Sequence, residues 1–344
     1  MIRFPPLTVP SFLHPTIEAW VVWLITTFIS IPAAFCTMFI DAPYALACNL
    51  FAPEPKSIVI TGASSGIGAS LALTYAKRGV TIGLLGLDSM YEWLVVVRII
   101  RLLYLTYILY NAQQVAEVVR SRRASAEVLV CDVADTDKLA QILEEFDDQH
   151  NIDLLFANAG QLGHTIDTDK EWEDHWDRIV DVNFIGAVAT AMTGFKLMEN
   201  RRNRRGGQIA ITSSLSGYFF LPQMAYYNAT KAALISFGRD LRYIGRPHNI
   251  KVTVITPGVI DTRMTADPHQ PFSMPRWLLT KPERLAKIIK RRLLYNPATI
   301  AYPFTEYLAS WVSQSLPTAL LDDATWLVGK VSSSLSRTGS RGFS

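Results

Sequence analysis

Short runs of β-branched and other apolar residues recur along the middle of the chain, each followed by a longer stretch with helical spacing. The runs predict strands at Ser57–Thr61, Val80–Leu85, Glu127–Val130, Asp153–Ala157, Gly207–Thr212 and Lys251–Ile255, with a seventh at Thr299–Tyr302. Helices are expected between them, at Ser65–Arg78, Lys138–Gln149, Trp172–Met198, Met224–Ile244 and Pro282–Leu294. Strands alternating with helices in this way predict an α/β fold: a doubly wound parallel sheet of about seven strands, covered by helices on both faces.

Two segments break the pattern. Ile17–Ile40, "IEAWVVWLITTFISIPAAFCTMFI", carries one formal charge, Glu18, and has Trp20 and Trp23 near one end. As a helix it would extend ~36 Å, against a hydrocarbon core of ~30 Å, and it reads as an N-terminal membrane helix. A cleaved signal peptide and a buried helix are the competing readings, and Arg3 and Lys56 on its two flanks leave its orientation open. The second segment is residues 88–112, where Leu94–Tyr110 is apolar apart from Arg98, Arg101, Thr106 and its tyrosines. It reads either as a helix on a membrane surface or as mis-predicted coding sequence inserted into an ordinary helix. The expected domains are a hydrophobic anchor at 1–52, a catalytic domain at 53–303 and an amphipathic helix with a Ser-rich, disordered tail at 304–344.

Composition narrows the partners. Apolar residues make up 49% of the 344 and mean hydropathy is +0.18, which fits a protein that touches a membrane. A net charge of +3 is too small to suggest nucleic acid. Three scattered cysteines give neither a disulfide framework nor a metal set, and the six histidines show no ligand spacing, so no metal is implied. Few cysteines also suit a catalytic domain facing the cytosol, with the endoplasmic reticulum one candidate for the membrane.

The chemistry-bearing residues fall after strand ends. "IVITGASSGIG" sets Thr61, Gly62, Ser64, Ser65, Gly66, Ile67 and Gly68 in a turn between a strand and a helix, where backbone can approach a pyrophosphate at the helix N-terminus. Asp132 follows the third strand, Asn158 and Gly160 the fourth, Ser213 and Ser214 the fifth, and Pro257, Gly258 and Thr262 the sixth. Asn183 lies within the long helix expected at Trp172–Met198. Tyr227 and Lys231, four apart in "AYYNATKAAL", share one helical face. The same stretch also fits an N-glycosylation acceptor at Asn228-Ala229-Thr230.

From Ser57 to Thr262, apart from the segment around Leu94–Tyr110, the sequence resembles the short-chain dehydrogenase/reductase family, with its Thr-Gly-x-x-x-Gly-x-Gly fingerprint and Tyr-x-x-x-Lys pair. The resemblance implies a Rossmann-like fold, an NADP or NAD cofactor and redox chemistry at a carbonyl or hydroxyl. The family's serine stands thirteen residues before its tyrosine, which selects Ser214, and Tyr227 is chosen because four residues beyond Tyr226 is Thr230. Asn183 matches the family's asparagine. The Asn-Asn-Ala-Gly element appears as Ala157-Asn158-Ala159-Gly160, lacking its first asparagine.

A free tyrosine has a pKa of ~10, and a neighbouring ammonium plus an oxidised nicotinamide would be expected to lower it. Tyr227 then serves as general acid or base and Ser214 fixes the substrate oxygen. The resemblance adds that Lys231 holds the nicotinamide ribose and that Asn183 holds a water that resupplies protons. With these residues on one helix packed into the domain, glycosylation of Asn228 is set aside.

At the end of the second strand Gly86 stands where an acid would select NAD, which favours NADP, although Leu87 offers no positive partner to a 2′-phosphate. The loop after Pro257-Gly258 carries Met264, Phe272, Met274 and Trp277, which suits a lipophilic small-molecule substrate. "RLAKIIKRRLLYNP" and the segment after it alternate basic and apolar positions, as for a helix lying on a bilayer or pairing subunits in a homodimer. Two other functions stay open: a pseudoenzyme or scaffold whose adenosine pocket the inserted segment disrupts, and the same chemistry on a soluble substrate.

Overall fold

The computed structural model describes residues 54–86, 112–162, 176–201, 206–218, 224–266 and 279–314. The expected membrane helix, residues 88–111 of the unusual segment, most of the loop after Met264 and the C-terminal tail lie outside the described residues.

Seven strands form one parallel sheet: β1 Ser57–Thr61, β2 Thr81–Gly86, β3 Ser125–Val130, β4 Leu154–Ala157, β5 Gly207–Thr212, β6 Ile250–Pro257 and β7 Thr299–Tyr302. Their order is β3-β2-β1-β4-β5-β6-β7. All residues of β1 and β4 are buried, as expected of central strands covered on both faces. One core cluster, including Ile58, Ile60, Leu71, Leu84 and Leu285, covers one face. A second, including Val59, Leu85, Leu143, Leu155 and Leu234, covers the other. Because alternate residues of a strand face opposite ways, Ile58 and Val59 serve different cores. The chain winds outward from β1 in one direction and from β4 in the other. The C-terminal ends of these two strands therefore flank the crevice where open α/β sheets bind ligands.

The first helix, α1, is Gly66–Tyr75. Residues 112–121 form α2, which enters β3; its Ala116 and Val119 pack into the first core, so the chain beyond the unusual segment rejoins the fold in an ordinary way. Helix α3, Thr136–His150, is capped by Asp135, whose side chain accepts the Lys138 N–H. The long helix expected at Trp172–Met198 is described from Trp176 and runs on to Glu199 with one π turn inside it. It consists of α4 Trp176–Val180, a π turn Asp181–Gly186 and α5 Ala187–Glu199. The π turn has local causes: Gly186 lies so close to Val133 that a Cβ would stand 2.8 Å from it, and Asn183 is bonded to the Gln161 backbone. Helix α6, Ala225–Gly245, carries the tyrosine and lysine. A short helix α7, Arg263–Ala266, follows β6.

One expectation is overturned. Helix α8, Pro282–Leu293, does not hold its apolar face free for a bilayer: Leu285, Ala286, Ile289 and Leu293 are buried in the first core. Lys290 donates to the Thr74 carbonyl at 3.1 Å, and its ammonium sits 4.9 Å from the Tyr75 ring centre. Amphipathic spacing reports that a face is buried, not what buries it, and here the sheet domain does so. Among the described residues no helix is long and apolar enough to cross a membrane. Helix α9, Phe304–Gln314, starts at the end of β7.

Candidate active site

The turn after β1 is built for close approach. Gly62 has φ +66° and Gly66 φ +53°, and a Cβ on Gly62 would lie 2.9 Å from the Ala159 backbone. At Gly68 a Cβ would overlap the Gly62 carbonyl, so α1 packs directly onto the turn. Ser65 caps α1 without a side-chain hydrogen bond, so it does not occupy the N–H groups of the first turn. A glycine-lined cradle ending on helix N–H groups fits a pyrophosphate. Ile67, partly buried, packs against the first core, while Ser64 and Ser65 are half-buried in the turn.

Thr61 and Asn158 knit the strand ends together. The Thr61 hydroxyl accepts the N–H groups of Asn158 and Ala159 at 2.9 and 3.0 Å and donates to the Phe156 carbonyl at 3.2 Å. Asn158 donates to the Thr61 carbonyl at 3.0 Å and accepts from the Thr212 hydroxyl at 3.2 Å. Both residues thus hold β1, β4 and β5 in register at the ligand edge. Position 157, where the resemblance lacks an asparagine, is a buried strand residue. Thr262 comes in from the β6 side, its methyl 3.1 Å from where a Gly66 Cβ would stand. Asp132 is already engaged, accepting from Arg178 at 2.6 Å and from the Ala134 N–H at 3.0 Å.

The catalytic candidates meet at the same edge. Ser214, after β5, hydrogen-bonds Tyr227 and lies 3.5 Å from the Pro257 carbonyl. Lys231 is 3% exposed; it donates to the Thr212 carbonyl at 3.1 Å, and its ammonium lies 5.5 Å from the Tyr227 ring centre. The Ser213 hydroxyl instead donates to the Lys231 carbonyl at 2.6 Å, which fixes α6 on β5 and excludes it from the substrate side. Asn183 is fully buried: its amide oxygen accepts the Gln161 N–H and its amide nitrogen donates to the Gln161 carbonyl, both at 2.7 Å. Gly160 fits between Asn183 and Lys231, where a Cβ would stand 3.2 and 3.4 Å from their polar atoms.

The expected depression of the Tyr227 pKa is not found in the chain alone. Burial pushes the phenol up and the Ser214 hydrogen bond pulls it down by less, because the ammonium lies over the ring face. Lys231 moves from 10.5 to about 8, because burial disfavours its charged form. A lysine whose folded value is depressed binds fewer protons when folded, so its burial costs most below about pH 8, and stability recovers as the pH rises toward 10.5. Relative to Lys231→Met, the unliganded protein is expected to gain stability over that window. Urea unfolding midpoints at several pH values check this, and parallel curves for the two proteins would contradict it.

Arg178, Gln161 and Glu306 all touch candidate site residues, yet no motif marked them. Arg178 and Gln161 reach the site across loops, and only the fold sets those distances. A cavity of about 200 Å³ beside Tyr75, Asp153, Lys251 and Lys290 opens at the N-terminal strand ends, away from this chemistry.

A glycine turn at the switch point of a parallel sheet, with phenol, ammonium and hydroxyl gathered beside it, is the arrangement of a dinucleotide-binding α/β protein. The family model for short chain dehydrogenase matches residues 100–271, half of the chain, and the protein belongs to that family. It is 32% identical over 253 residues to an 11-beta-hydroxysteroid dehydrogenase of Pinus massoniana, covering 72% of this chain and 61% of that protein. A short-chain type dehydrogenase/reductase from Mycobacterium marinum is 25% identical with a TM-score of 0.57, over 72% of this chain and 93% of that one. A 3-oxoacyl-[acyl-carrier protein] reductase with bound NAD from Brucella melitensis is 26% identical with a TM-score of 0.55, over 72% and 89%.

Proposed function

We propose that the protein is an NAD(P)-dependent dehydrogenase/reductase that interconverts a carbonyl and a hydroxyl on a lipophilic substrate, with Tyr227 as general acid/base. The observation that carries the reading is the convergence of Ser214, Tyr227 and Lys231 beside the Gly62–Gly68 cradle. The cofactor supplies the hydride, or accepts it. Ser214 hydrogen-bonds the substrate oxygen and holds it against the Tyr227 phenol, which gives or takes the proton. Lys231, buried and neutralised near pH 8, is poised to pass protons toward Tyr227 and to hold the cofactor's ribose. Because the Asn183 side chain is committed to Gln161, any water it contributes is held by the main chain of its π turn.

The Brucella relative's bound NAD supports a nicotinamide cofactor. Gly86 itself presents no acid to a 2′-phosphate, and NADP is the favoured form. The pine relative's steroid chemistry, the aromatic pair Tyr218–Tyr307 beside the site and the apolar residues of the loop after Gly258 support a lipophilic substrate. The apolar N-terminal run supports a membrane anchor.

The test is a fluorescence titration of the purified chain with NADPH and NADH, followed by loss of nicotinamide absorbance on adding apolar ketones. Binding of NADPH with ketone-dependent turnover is expected. If neither cofactor bound, the enzyme reading would fall and a scaffold role would take its place.

A further inference from the structure

The turn after β6 is covered by a carboxylate that no sequence motif marks. Pro257 pairs with Tyr302 in the sheet, and the Gly258 N–H donates to the Tyr302 carbonyl at 2.8 Å. The chain then turns through Pro303 into α9, whose first turn carries Glu306 onto Gly258 and Val259. The Val259 N–H donates to the Glu306 carboxylate, and a Cβ on Gly258 would overlap that same group. On its other flank the turn meets Ser214 through the Pro257 carbonyl. Tyr218, four residues after Ser214, meets Tyr307 edge-on with ring centres 5.5 Å apart. Glu306 therefore stands at the edge that holds the reacting groups, one residue along from the carbonyl that Ser214 touches.

We propose that Glu306 is a determinant of cofactor redox state, its negative charge favouring the oxidised nicotinamide, which is cationic, over the neutral reduced ring. The inference rests on the dehydrogenase reading, because Tyr227 and Ser214 can serve a hydride transfer only if the nicotinamide lies beside them and hence beside this turn. Oxidised and reduced cofactors carry the same phosphates and adenosine and differ by the ring's single positive charge, so a carboxylate here acts on their difference. Partial burial raises the Glu306 carboxyl above its ordinary range while the Val259 N–H pulls it back. Glu306 remains exposed to water, so its attraction for the cationic ring is that of a screened charge.

The test compares dissociation constants for NADP+ and NADPH, and for NAD+ and NADH, in the wild type, Glu306→Gln and Glu306→Asp at mildly alkaline pH. The glutamine amide oxygen can still accept the Val259 N–H, so the turn is kept while the charge is removed. In Glu306→Gln the preference for the oxidised over the reduced form is expected to fall by about fivefold, the size of a single screened charge interaction. Glu306→Asp, which keeps the charge, should retain most of the preference. An unchanged ratio in Glu306→Gln, or equal weakening of both forms, would overturn the proposal, since a purely structural role moves both affinities together. Failure of the wild type to bind either form would instead remove the dehydrogenase reading itself.

Discussion

Tyr227→Phe is expected to lower kcat about a thousandfold, the scale of a lost general acid–base catalyst, while leaving cofactor affinity within about twofold. The substitution removes one hydroxyl and keeps the ring that Lys231 overlies, so the packing of α6 on β5 survives. Ser214 and Lys231 remain, but neither stands in for the phenol: Ser214 is bonded at its other side to the Pro257 carbonyl and Lys231 to the Thr212 carbonyl. The limb of the pH–rate profile that reports the acid–base group should vanish with the activity. Steady-state kinetics beside a cofactor titration check this. A variant that kept more than about a tenth of the wild-type kcat would remove Tyr227 from the reaction.

The largest stability loss is expected far from the site. Arg201, two residues beyond α5, bonds Asp147 of α3 at 2.5 Å, the Ile152 carbonyl at 2.8 Å and the Gly206 carbonyl at 3.1 Å. Both side chains are about one-tenth exposed, at 9% and 11%. Asp147 also accepts the Ile152 N–H at 2.7 Å, so this ion pair fastens two helices to the turn that leads into β4. Breaking a buried pair by removing one partner leaves a stranded charge, and Arg201→Ala should reduce unfolding free energy by about 3 kcal/mol. The retained Ile152 N–H keeps the estimate at the lower end of that range. Urea unfolding measures the change, and folded protein should keep its kcat because no strand end at the ligand edge moves. A loss below about 1 kcal/mol would mean that water reaches and relieves the Asp147 charge.

Most of the architecture was legible from pattern. All seven strands lie where β-branched runs predicted them, with β1, β5 and β7 matching at both ends. β6 runs on to Pro257 because β5 and β7 offer partners along its length. The glycine turn, Ser214, Tyr227, Lys231 and Asn183 come together at one edge, since fixed offsets within a strand–turn–helix unit translate directly into geometry. Less legible was what depends on partners distant in sequence. The amphipathic spacing of Pro282–Leu293 suggested a bilayer, yet the sheet domain covers that face. The lowering of the Tyr227 phenol was expected from Lys231 together with an oxidised nicotinamide; in the chain alone burial raises it, because spacing along a helix does not say whether an ammonium meets the hydroxyl or the ring.

By itself the sequence determined the order of the elements and the glycine turn after the first strand, because these follow from local periodicity and short spacings, while the family resemblance singled out Ser214, Tyr227 and Lys231. Only the tertiary structure decided that Arg178 engages Asp132, that Asn183 is bound to the Gln161 backbone and that Glu306 covers the turn after β6. Those contacts join elements from opposite halves of the sheet or from neighbouring loops. Their energies depend on distance and on exclusion of water, and neither is encoded in residue order until the chain has folded.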